Sequence, residues 1–274
     1  MICKIYIDEM QFDLMGGKMR QKDRCEIDIY CKYDKQLNEF FNDVVRYTIE
    51  KYAFGLNIDT LKEIELIDGK RYKLKTDGKI INESKIIITS RLYNMLPDYK
   101  ITGLYRNKIF KQIVCTIYHE LGHINDMSLY PNLYNMVLKG EDRLLKIMAM
   151  LFWTEYLAEK RSVVIDPCRY EFCDEFLNTK WNPIKVDGNI GPDDFIYLNK
   201  VLPYFIARAE TVKQKYFDKI ENDILFAYVN ELRVELNNLS KILPFDNAET
   251  LEKLCAIINK YGGKFTHNNI AQYD

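Results

Sequence analysis

The spacing of apolar residues changes once along the chain, and that change constrains the fold more than any other feature. Up to about residue 90 the period is two. Cys3–Ile7 and Cys25–Tyr30 (C-E-I-D-I-Y) alternate apolar and polar positions, with Gly16-Gly17 between them, which predicts an antiparallel pair. Leu61–Ile67 and Arg71–Lys75 flank Asp68-Gly69, a hairpin signal, and Lys85–Ser90 (K-I-I-I-T-S) follows Asp77-Gly78 as a further β-branched strand. Within this region Leu37, Phe40, Phe41, Val44, Val45, Ile49 and Tyr52 recur at three and four, so one amphipathic helix is predicted between Lys35 and Phe54, stopped by Gly55.

From about Asn107 the period becomes 3.6. Helices are predicted over about 107–127, 132–139, 141–164, 168–178, 193–217, 219–240 and 247–260. Strands around one helix followed by a run of helices define an α+β chain, with a small mixed or antiparallel sheet. The division expected is a core at 1–165, including the N-terminal sheet, and a helical C-terminal subdomain at 166–274. Within the latter, Trp181–Asp194 (W-N-P-I-K-V-D-G-N-I-G-P-D-D) is the most irregular stretch and the strongest candidate for a subdomain boundary.

Composition narrows the function classes. With 274 residues, 47% of them hydrophobic, the chain can bury a substantial core. Lys+Arg is 39 against Asp+Glu 40, a net charge of −1, so no global field favours nucleic acid or an anionic membrane. The N-terminal M-I-C-K-I-Y-I-D-E-M lacks the basic start, apolar stretch and cleavage site of a signal peptide, and no apolar run approaches the ~18 residues of a membrane span. Seven cysteines, with no CxxC among them, indicate neither a disulfide framework nor a cysteine zinc site. A reducing, cytoplasmic setting is expected. No GxxxxGK[ST] or Gly-x-Ser-x-Gly is present to suggest phosphate binding or a serine nucleophile.

The chemistry lies in I-V-C-T-I-Y-H-E-L-G-H-I-N-D-M, residues 113–127, which contains His119-Glu120-Leu121-Gly122-His123. On a helix, residues four apart share a face, so both imidazoles can reach one ion at ~2.0–2.1 Å while Glu120 projects beside it. Ile113, Ile117, Leu121 and Ile124 form a ridge roughly opposite, suited to the core. The chain holds three histidines. Two of them falling four apart with Glu in second place by chance is on the order of one in several hundred.

A catalytic zinc commonly takes a third protein ligand. HExxHxxGxxH is ruled out, because Asp126 and Leu129 stand where Gly and His are required. His267 is the one histidine left. Downstream, L-F-W-T-E-Y-L-A-E-K-R at 151–161 lies in a helix apolar nearly all round, and a carboxylate such as Glu155 there needs a cation or a proton. Glu159 is one turn on, and each glutamate has the alternative of being solvated or of pairing with Lys146, Lys160 or Arg161.

HELGH followed by E-Y-L-A-E at 155–159 resembles the gluzincin zinc metallopeptidases, whose signature is HExxH plus ExxA[DE] or ExxS[DE] on a later helix. The resemblance covers roughly residues 80–165, and among these peptidases the chain looks most like the small cytoplasmic ImmA/IrrE-type ones, though only loosely, since no E-x-x-A-N-x-F-A continuation, no proline-ended strand and no helix-turn-helix follow. It implies a zincin-like core, Glu155 as third ligand and Glu159 as a carboxylate orienting a ligand histidine. A zinc-dependent endopeptidase is the expected function, with Glu120 as general base and a peptide or protein as substrate. Oxyanion donors could come from Tyr118, Tyr130, Tyr134 or His267, and Lys85–Ser90 could hold an extended substrate or, at least as readily, be an ordinary strand of the sheet. The alternative is a non-catalytic regulatory or binding protein with a structural or vestigial zinc site, its C-terminal helices docking a protein partner.

Overall fold

A computed structural model describes residues 2–7, 10–12, 19–21, 25–31, 33, 35–70, 76–96, 107–133, 143–166, 168–178, 190–212 and 216–266. The chain forms two units, 1–128 and 129–274. Among the described residues the first holds a five-stranded sheet, a two-stranded ribbon and two α-helices, and the second is helical. The class is α+β, as the two periodicities predict.

In the first unit, β1 (Ile2–Ile7), β4 (Cys25–Cys31), β5 (Glu63–Ile67), β7 (Lys85–Thr89) and β6 (Gly78–Asn82) form a sheet in that spatial order. β1 and β4 pair antiparallel, Ile2 opposite Tyr30 and Ile7 opposite Cys25, as the alternation predicts. β4, β5 and β7 are parallel neighbours, so β4 and β5 need a crossover, which α1 (Lys35–Tyr52) supplies. Two short strands, β2 (Met10–Phe12) and β3 (Met19–Gln21), pair antiparallel by themselves.

The apolar stripe of α1 enters the core as its spacing requires: Phe40, Phe41, Val44 and Val45 are buried, as are Ile27, Ile29, Ile64, Leu66, Ile86 and Ile88 from the sheet. Full burial of each such side chain contributes about 1.5–3 kcal/mol. Gly55 takes a φ of 84°, the left-handed conformation glycine adopts freely, just past the end of α1.

One strand is absent from the sequence reading: β6 begins at Gly78 and runs back antiparallel to β7 through the tight connection at Glu83-Ser84. β7 is therefore an interior strand, hydrogen-bonded to β5 on one side and β6 on the other, and has no edge with which to hold a substrate. The hairpin partner expected at Arg71–Lys75 lies outside the described residues.

In the second unit, α3 (Arg143–Ser162), α4 (Arg169–Leu177), α5 (Pro192–Thr211), α6 (Asp223–Lys241) and α7 (Glu252–Thr266) build a core around Trp153, Tyr156, Phe195, Phe205, Tyr228 and Tyr261. α3 packs most extensively on α5 and also on α7. The expected boundary at 165 is therefore misplaced: the helix carrying Glu155 buries its apolar surface among the C-terminal helices. Single turns of 3-10 helix at Phe217–Lys219 and Ala248–Leu251 precede α6 and α7, and Asn222 caps α6 by accepting the Leu225 N–H at 2.8 Å. The expected helix at 132–139 and the first part of the Trp181–Asp194 stretch fall largely outside the described residues. Among the described residues no helix is long and apolar enough to cross a membrane.

Candidate metal centre

α2 (Lys108–Leu129) carries the HELGH segment, and its register follows from its apolar ridge. Ile113, Ile117, Leu121 and Ile124 are at most 1% exposed, which turns the opposite residues, His119 and His123, to one face. The helix is also tied down at its C-terminal half. Asn125 accepts the Asn57 N–H at 2.8 Å, and the Thr60 and Ser128 hydroxyls lie 3.1 Å apart.

The two imidazoles point their Nε2 atoms at each other across 3.0 Å, with the ring planes at 78°. Two nitrogens bound to one tetrahedral zinc at ~2.0–2.1 Å would stand roughly 3.3 Å apart. The pair is therefore already close to the spacing a shared ion requires. Glu120 is buried, 8% exposed, and its carboxylate lies against the first residue of β6.

A Cβ at Gly78 would stand 2.7 Å from Glu120 Oε1 and 2.8 Å from its Cγ, closer than real contacts allow. The backbone there has little room to retreat. The Thr89 N–H donates to the Asp77 carbonyl at 2.8 Å, and Arg91 grips the Asp77 carboxylate through Nε and Nη2, both at 2.8 Å. Gly78→Ala is thus expected to swing the Glu120 side chain aside. If Glu120 is the general base, hydrolysis should fall by roughly tenfold to a hundredfold, the scale of a 1 Å misplacement, with metal content unchanged. Steady-state kinetics beside metal analysis checks this; full activity in the variant would show that Glu120's position does not matter.

In the second unit, α3 holds Glu155 and Glu159 on the side that meets α5. The Tyr204 hydroxyl donates to Glu155 Oε2 at 2.6 Å. One turn further along both helices, Arg208 Nε donates to Glu159 Oε1 at 2.6 Å, and its Nη2 lies 3.2 Å from Asp166 Oδ2. Glu159 is 2% exposed and Asp166 5%. Burial pushes the Asp166 carboxyl above the usual range although Arg208 pulls it down, and burial raises the nearby Cys173 thiol to about 12.

Arg208 answers Glu159, while Lys160, one of the cations considered for it, reaches Glu210 at 2.6 Å and the Tyr156 hydroxyl at 2.7 Å. Of the proposed oxyanion donors, Tyr118 packs its ring on Tyr52 and Tyr130 stacks on Phe245 in the second unit's core. Tyr134 and His267 lie outside the described residues. Gly78, Tyr204 and Arg208 escape the sequence reading. The one available signal is that Tyr204 and Arg208 repeat the four-residue spacing of Glu155 and Glu159 on another helix.

Neither a protein-family model, nor a curated protein, nor a solved structure matches this chain.

Proposed function

We propose that this protein is a zinc-dependent endopeptidase with a zincin-like core, in which His119, His123 and Glu155 hold the ion and Glu120 is the general base. The observation that carries the reading is the pair of imidazole nitrogens set 3.0 Å apart on one face of α2 beside a buried glutamate. Two imidazoles and a carboxylate are a donor set of the right type and number for zinc with a position left for water.

Bound there, zinc would supply a Lewis acid that polarises a peptide carbonyl and brings the pKa of a water to about 7. Glu120 takes the proton released, holds it on its carboxylate, and passes it to the amine of the departing peptide. Burial under Gly78 restricts Glu120 to one side of the helix, which suits a group that must shuttle a proton over a short path. An extended substrate belongs on β6, one of the sheet's two outer strands among the described residues, where main-chain hydrogen bonds can hold it next to Glu120.

Protein purified without added metal should carry about one equivalent of zinc. Removal by a strong chelator should abolish peptide hydrolysis, and zinc should restore it. Metal analysis showing only traces would overturn the proposal. Full zinc with no hydrolysis across a broad peptide and protein library would instead favour a binding protein.

A further inference from the structure

α5 lays two side chains against the two glutamates of α3, and their chemistry differs. Arg208 is a fixed cation, and with Asp166 it forms a buried cluster that answers the charge of Glu159. Tyr204 is an uncharged donor, and its hydroxyl meets one oxygen of a half-buried Glu155 at 2.6 Å. A neutral hydroxyl fixes the orientation of a carboxylate without cancelling its charge, which is what a metal-ligating carboxylate requires of its outer partner.

We infer that Tyr204 is the positioning residue for Glu155: its hydroxyl holds Oε2, so that the carboxylate presents the same oxygen whenever the ion arrives. This rests on Glu155 being a ligand. Tyr204 is itself held in place. Its ring packs against Phe172 at 6.3 Å, and the Arg208 guanidinium lies 5.9 Å from the ring centre, so the hydroxyl is set from both sides. Pro203 precedes it inside α5 and has no N–H to give, so the helix ladder is interrupted beside the tyrosine.

The test uses the full-length protein. Tyr204→Phe keeps the ring and its packing and removes only the hydroxyl. Competition with a chromophoric chelator should show zinc affinity falling about 10- to 100-fold, as is typical when an outer partner of a ligand is lost. The unfolding temperature of the metal-free variant should match wild type. The cobalt(II) form should show altered d–d bands, a change that loss of packing alone would not cause. In a Glu155→Ala background the tyrosine substitution should have no further effect on affinity. Unchanged zinc affinity and cobalt spectrum in Tyr204→Phe would overturn the inference while leaving the zinc site intact. Wild type that binds no zinc would overturn both.

Discussion

Glu120→Gln is expected to keep the fold and its zinc and to lose hydrolysis by about 10²–10⁴-fold in kcat, with KM little changed. The substitution conserves shape. Glu120 is buried against Gly78, so an isosteric amide fills the same space, whereas a smaller residue would leave a void there. Its side chain is assigned no ligand role, and the imidazoles that meet at 3.0 Å are unaffected. What the amide lacks is a basic oxygen able to accept and return a proton. Wild-type rates in Glu120→Gln on a substrate that wild type cleaves would remove Glu120 from the mechanism. Loss of zinc together with activity would move the residue into the ion's own shell.

How far the sequence discloses this molecule depends on whether the signal is local. The α1 stripe, the β1–β4 alternation and the ridge of α2 are statements about neighbours a few residues apart, and the structure realises each of them. His119, Glu120 and His123 are legible for the same reason, since one helical turn fixes their relation. β6 is missed because Asp77-Gly78 is a turn dipeptide by composition, while the use of this glycine depends on Glu120, a residue more than forty positions away. The glycine stands where a helix side chain leaves no room for a Cβ.

Tyr204 and Arg208 are invisible for a related reason. Nothing in α5 alone says which of its faces meets α3, because both helices are apolar over most of their surface. The boundary expected at 165 rests on grouping the two motif segments together, whereas packing assigns α3 to the helices that follow it. A motif reading groups residues by chemistry; burial groups them by surface, and the two need not agree.

Packing of α3 on α5 also separates the two glutamates, and the expected result is that Glu155→Ala nearly abolishes tight zinc binding while Glu159→Ala retains it. A sequence alone leaves the rotation of α3 open. The structure pairs Glu159 with the Arg208 guanidinium at 2.6 Å in a pocket where it is 2% exposed, so its charge is answered within its own unit. Recruiting it to an ion would cost that pair, and breaking a buried pair costs about 3–5 kcal/mol. Glu155 is half-buried and meets the Tyr204 hydroxyl, an uncharged donor that fixes the orientation of a carboxylate without cancelling its charge, which suits a ligand. Glu159→Ala should therefore appear as a loss of stability. Its cost should lie near the lower end of that range, about 3 kcal/mol, because Asp166 still faces Arg208 at 3.2 Å after the change. A fold with a typical 5–15 kcal/mol survives such a loss, so the zinc affinity of Glu159→Ala can be measured. Glu155→Ala should show the opposite profile, with a near-normal melting transition in the metal-free protein and little zinc retained against a competing chelator. Thermal unfolding and chelator competition on both variants give four numbers, and a reversed order of affinities would make Glu159 the ligand.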